Sequence, residues 1–130
     1  MTSVLIIEDD PLILRMYEQA FKFRKHKAFI ADNGKTGLEL TKKELPDVVI
    51  LDIMMPEMDG LQVLKALKKD PTTKNIPVIM LTNIGQDKDI ETALSLGAVK
   101  YITKIDHTPK DVITEVEQII TATTRNKIPD

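Results

Sequence analysis

The stretch Val48-Val49-Ile50-Leu51-Asp52-Ile53-Met54-Met55-Pro56-Glu57-Met58-Asp59-Gly60 decides how this chain is read. Its first four residues are an unbroken apolar, β-branched run, the pattern of a strand covered on both faces, and the run ends on an acid, Asp52. Asp59-Gly60 then marks a joint, and Leu61, Leu64 and Leu67 follow at helical spacing. Working outward, four similar runs occur at Val4 to Ile7, Ala28 to Ala31, Val78 to Leu81 and Tyr101 to Thr103. Amphipathic stretches lie between them, such as Ile13, Met16, Tyr17 and Ala20, or Ile90, Ala93 and Leu94. The last carries the stripe Val112, Ile113, Val116, Ile119 and Ile120, opened by Thr108 as N-cap, Pro109 at the first helical position and Asp111 three after the cap.

Strand and helix alternate five times, which predicts right-handed βαβ crossovers and a parallel sheet with helices on both faces, a doubly wound α/β fold. Residues 1–120 read as one domain and 121–130 as a polar, frayed tail with no output domain. The composition agrees: 130 residues, 42% hydrophobic and 29% charged, with 5 glycines and 7 prolines, exclude low-complexity disorder. The absence of cysteine excludes a disulfide-stapled module and thiol chemistry. A net charge of −2 disfavours direct nucleic-acid or membrane binding. Val4 to Ile7 is cut off by Glu8, too short for a signal peptide or membrane span, so a cytoplasmic location is expected.

In an open parallel sheet, ligands bind at the carboxyl ends of the strands. Here those ends lead into Glu8-Asp9-Asp10-Pro11, Asp52, Thr82 and Lys104. Asp10 before Pro11 reads as a helix N-cap. A sheet order that set the first strand beside the third would crowd Glu8, Asp9 and Asp52 at one edge, where two carboxylates about 4 Å apart repel by about 4 kcal/mol at an effective dielectric of 20. A hard divalent cation offsets that charge, Mg²⁺ above all, and Lys104 adds further positive charge.

These residues, the Met55-Pro56-Glu57-Met58-Asp59-Gly60 loop, and Tyr101-Ile102-Thr103-Lys104 together resemble a response-regulator receiver domain from about Ser3 to Ile120. The resemblance implies a flavodoxin-like (βα)5 sheet of order 2-1-3-4-5. It implies a stand-alone phosphorylation switch, not an enzyme acting on outside substrates. Asp52 matches the phosphoacceptor, charged by a sensor histidine kinase or histidine phosphotransfer protein. Glu8, Asp9, Asp52 and the Met54 backbone carbonyl match the Mg²⁺ site, which Mn²⁺ could also fill. Thr82 and Lys104 match the groups that contact the phosphoryl oxygens, and Thr82 and Tyr101 the switch pair. The downstream partner is a protein left unidentified by the sequence, met as a monomer or as a dimer through the fourth helix, fifth strand and fifth helix.

Two positions depart from the family. Ile105 follows Lys104 where proline with a cis bond is usual, and a trans bond is expected, since cis before a non-proline costs about 2.5 to 4 kcal/mol. Asn83 follows Thr82 where a small residue is usual. By the resemblance, Met54 and Ile84 occupy the positions that flank a hydrolytic water; both are apolar, which implies a long-lived phosphoryl group.

Other features read more plainly. The basic run Lys22, Arg24, Lys25, His26 and Lys27 suits a helix C-terminus. His26 and His107 are expected at the surface, and Met54, Met55 and Met58 in core packing. An α/β phosphatase would carry its nucleophile after the first strand with a second Asp two residues on, whereas residue 54 is Met. The Glu-Asp-Asp-Pro loop would repel the phosphate of a flavin.

Overall fold

The computed structural model describes residues 2–83, 86–104 and 108–127, with the side chains of 123–127 excepted. The elements alternate as expected: β1 (Ser3–Ile7), α1 (Pro11–Phe23), β2 (Lys27–Ala31), α2 (Gly34–Glu44), β3 (Val48–Asp52), α3 (Gly60–Lys69), β4 (Val78–Thr82), α4 (Asp87–Leu96), β5 (Lys100–Thr103) and α5 (Pro109–Lys127). The five strands are all parallel, in the order β2-β1-β3-β4-β5. This is the doubly wound, flavodoxin-like sheet that the resemblance implied.

Period-two alternation splits the sheet into two cores. Leu5, Ile7, Val49, Leu51, Val78 and Met80 pack against Val63, Leu64 and Leu67 of α3 and Ala93 of α4. Val4, Ile6, Val48, Ile50, Ile79, Leu81 and Ile102 pack against Leu14, Tyr17 and Phe21 of α1 and Val112, Ile113 and Val116 of α5. Because both faces are covered, β3 and β4 are buried along their whole length, which is why they read as continuous apolar runs.

Local chemistry fixes where the helices begin. Asp10 accepts the N–H groups of Leu12 (2.9 Å) and Ile13 (3.4 Å). Asp59 and Gln62 form a reciprocal capping box at α3. Thr108 and Asp111 exchange bonds at α5, the Asp111 N–H donating to Thr108 Oγ1 and the Thr108 N–H to Asp111 Oδ2.

Three expectations need correction. Helix α5 runs on to Lys127, through most of the segment read as a frayed tail: no glycine or proline interrupts the chain before Pro129, so the helix ladder continues. His26 is not a surface residue. Lys25 takes a left-handed φ of 69° and the chain turns back, so that the His26 N–H reaches Phe21 O and its ring packs edge-on to Phe21, with Nε2 2.8 Å from Glu117. Met55 is buried as expected, but Met54 is 60% exposed because it stands in the loop after β3, beyond the cover of α3 and α4. His107, Ile84 and the Lys104–Ile105 bond lie outside the described residues.

Among the described glycines, Gly60 makes the closest approach to backbone. A Cβ there would lie 2.2 Å from Asp52 O and 2.8 Å from Ile53 Cα, so the first residue of α3 presses directly on the end of β3. Gly60→Ala is therefore expected to lower stability by roughly 3 kcal/mol, as overpacking against an immovable backbone does. Gly97→Ala, which places a side chain at φ +112° in ordinary van der Waals contact with Lys68, should cost about 1 kcal/mol. Chemical denaturation of the two variants checks this ranking, and the reverse order would refute it.

Candidate functional site

Strand parity, carried one step past β1 and β5, builds the site. Ile7 pairs with Leu51, and Glu8 and Asp52 each follow their pair, so both carboxylates leave the sheet on the side of Ile6 and Ile50. Lys104 continues the parity of Ile102 on β5 and faces the same way. The backbone holds each stub in line: the Glu8 N–H donates to Ala31 O, that of Ile53 to Leu81 O and that of Lys104 to Thr82 O. Three elements far apart in sequence thus deliver two acids and a base to one point beside the first turn of α1.

Oxygen atoms of Glu8, Asp9 and Asp52 all come within 4.8 Å of one another. Glu8 and Asp52 are buried, at 0% and 2% exposure, and Asp9 faces solvent. Lys104 Nζ lies 2.6 Å from Glu8 Oε1 and 3.1 Å from Asp52 Oδ2. Two backbone donors complete the set: the Asp10 N–H donates to Glu8 Oε2 (3.1 Å), and the Met54 N–H to Asp52 Oδ1 (3.3 Å). Neither donor is visible in a sequence, because every residue but proline offers an N–H.

One ammonium cannot neutralise two buried carboxylates and an exposed third. Burial raises the Glu8 carboxyl, but hydrogen bonding with Asp52, Lys104 and the Asp10 N–H outweighs it and holds Glu8 below its ordinary value. Asp52 goes the other way. Burial, then the hydrogen bond and charge of Glu8, push it up to about 8 against the pull of Lys104. Asp9 is raised by partial burial and then by Glu8. Lys104 is lowered by burial, yet the two carboxylates more than reverse this and keep it charged. At neutral pH the metal-free cluster therefore holds a proton on Asp52, shared with ionised Glu8 and flanked by the Lys104 ammonium.

The residue types fit a hard divalent cation: three carboxylates converge, burial and then the like charge of Glu8 oppose ionisation of Asp52, and an ion would offset both. Thr82 is fully buried at the end of β4, its hydroxyl donating to Ile102 O at 3.4 Å. The Asn83 N–H donates to Gln86 Oε1 at 2.7 Å. Tyr101 stands back along β5 opposite Met80 and is 45% exposed. Sequence reading passed over Tyr17. It was seen only as part of a helical stripe, yet its buried phenol feels the charges of Lys104, Glu8 and Asp52 and is raised chiefly by burial. No helix among the described residues is long and apolar enough to cross a membrane.

The sequence profile of the response regulator receiver domain matches residues 4–117. The chain is 36% identical over 123 residues to a probable transcriptional regulator, ycf27, of Guillardia theta, covering 95% of this chain and 47% of that protein. It is 36% identical over 104 residues to Protein PilH of Pseudomonas aeruginosa, covering 80% of this chain and 86% of the relative. The chain thus spans about half the length of some relatives and most of others. A crystal structure of a CheY-like response regulator receiver domain protein from Methanospirillum hungatei superposes with a TM-score of 0.90 at 25% identity, covering 97% of this chain and 98% of that one. The profile, the relatives and the superposition converge on a single assignment: this chain belongs to the response regulator receiver domain family, the signalling switches of two-component systems.

Proposed function

We propose that the chain is a phosphorylatable switch that takes a phosphoryl group on Asp52 from the phosphohistidine of a sensor histidine kinase or a histidine phosphotransfer protein. The observation that carries the reading is the convergence of Glu8, Asp9, Asp52 and Lys104 at the carboxyl edge of the sheet. A carboxylate oxygen of Asp52 attacks phosphorus, the P–N bond breaks, and its electron pair stays on the imidazole nitrogen. Such a transfer demands in-line placement and charge neutralisation more than covalent assistance. Lys104, already seated on Asp52, supplies one positive charge to the equatorial oxygens, and the Thr82 hydroxyl, whose bond to Ile102 O is long, supplies a donor.

Glu8, Asp9 and Asp52, with the Met54 carbonyl, would hold Mg²⁺, or Mn²⁺ in its place. When bound, such an ion would supply positive charge against the phosphoryl oxygens. Asp52 acts as a nucleophile only after losing its proton, so cation binding and readiness for transfer go together in this reading. The reaction takes place in the cytoplasm, the only chemistry assigned to the chain is its own loading and unloading, and the output is altered binding of a downstream protein. Thr82 and Tyr101 would relay the change to the α4–β5–α5 face, which serves a monomer or a dimer. Met54, apolar and exposed beside the site, offers no group to orient a hydrolytic water, which favours a long-lived phosphoryl group.

Incubation with acetyl phosphate and Mg²⁺ should add one phosphoryl mass increment to the intact protein and none to Asp52→Asn. Labelling of the variant to the same extent would defeat the assignment of Asp52.

The cluster also sets a pH dependence. The folded-state pKa of Asp52 lies above its unfolded value, so the stability that its proton contributes is present in full below about pH 4 and is lost as pH rises through about 8. Mg²⁺ competes with that proton, so its affinity should rise by roughly tenfold per pH unit up to about pH 8. Melting curves with EDTA and with Mg²⁺ at about pH 6 and about pH 8 measure this. The Mg²⁺-induced rise in Tm should grow with pH in the parent and vanish in Asp9→Asn; a rise that is independent of pH, or equal in the variant, would contradict the ligand set.

A further inference from the structure

Along the β3–α3 loop, next to Asp52, lies an open groove of about 520 Å³ lined by Ile53, Met54, Met55, Pro56, Leu61 and two acids, Asp59 and Asp89. Apart from Met54, the reading of the chain as a switch makes no use of its lining. Its floor is apolar and adaptable, since Met54 is 60% exposed and methionine repacks around varied shapes. Its rim is acidic. Asp59 caps α3 and Asp89 stands in the first turn of α4; Glu57 and Asp87 are exposed on the same two segments, and Lys88 is the one cation among them. The two helix starts contribute roughly half a positive charge each, which with Lys88 leaves the four carboxylates about two charges in excess. An apolar floor with a net negative rim excludes anionic ligands and matches a cationic, amphipathic chain.

We propose that this groove is a docking site for a cationic amphipathic segment of a partner protein, with an apolar side chain seated on Met54, Met55 and Leu61 and a neighbouring lysine or arginine paired with Asp59 and Asp89. The Met54 N–H that donates to Asp52 Oδ1 puts the groove wall one hydrogen bond from the acid cluster. Docking itself does not depend on phosphorylation of Asp52. It is tested on the metal-free, unphosphorylated full chain, so a failure here leaves the proposed function untouched.

The probe is a fluorescein-labelled peptide alternating Leu or Phe with Lys, followed by anisotropy, beside a control peptide with Glu in place of each Lys. The lysine peptide should bind saturably, the glutamate peptide should not, and amide shifts should cluster on residues 53–61 and the start of α4. Asp59→Asn keeps an N-cap side chain at α3, so it removes charge without removing the cap. It and Asp89→Asn should each weaken binding about fivefold, the size expected of one part-exposed ion pair. Glu91→Gln, on an exposed part of α4 outside the groove, should leave binding unchanged. Loss of affinity in Glu91→Gln equal to that in Asp59→Asn and Asp89→Asn would show a diffuse charge effect and overturn the site. Equal binding of both peptides, or no binding of the lysine peptide, would do the same. Concentration-dependent self-association that Asp59→Asn and Asp89→Asn abolish would assign the groove to a second copy of this chain and overturn the partner-segment proposal.

Discussion

Two carboxylates buried side by side with a single lysine form the constraint on which the rest of the structure depends. Glu8 and Asp52 leave neighbouring parallel strands on the same side of the sheet, and Lys104 reaches both from the far end of β5. Like charges so placed in a poorly solvated pocket cannot both ionise cheaply, so the metal-free protein resolves the conflict with a proton on Asp52. The arrangement is poised rather than settled. Any cation that arrives meets ligands already in place, and the cost of assembling them was met when the hydrophobic sheet folded.

That sheet fixes the site with little freedom left over. Residues 48–52 and 78–82 are buried without exception, and their register puts Asp52 opposite Leu81. Gly60 lies against Asp52 O so closely that no side chain fits, while its own N–H donates to Ile53 O. The end of β3 is therefore clamped between the start of α3 and the sheet. Asp10 behaves likewise on the other strand: its side chain caps α1 while its N–H holds Glu8. Helix starts and acidic ligands are thus fixed by the same few residues, and a change in the charge of the cluster is felt at once by α1 and by the β3–α3 loop.

Much of this was legible in the sequence because the strands are buried on both faces. Continuous apolar runs with an acid, a threonine or a lysine at their ends located all five strands to within one residue at each end, and the acids with them. The features that escaped depend on contacts between distant segments. Lys104 was expected to bring positive charge to the acids, but its simultaneous reach to Glu8 and Asp52 rests on a parity that emerges only once the strand order is known. His26 was placed at the surface by its basic neighbours, whereas the left-handed turn at Lys25 swings it onto Phe21 and Glu117. The length of α5 was underestimated because its last two turns are polar, and polarity does not by itself end a helix when neither glycine nor proline intervenes. Met54 was assigned to the core by its type, yet a loop position outweighs hydrophobicity.

The proton on Asp52 is the most direct point of attack. Its carboxyl carbon, assigned by comparison with Asp52→Asn, can be followed by NMR through a pH titration of the full chain with EDTA and again with saturating Mg²⁺. The account predicts an apparent pKa of about 8 without metal, set by burial and by Glu8, and a midpoint well below neutral once the metal is bound. An Asp52 already ionised at about pH 6 in the metal-free protein, or a midpoint that Mg²⁺ leaves in place, would contradict it.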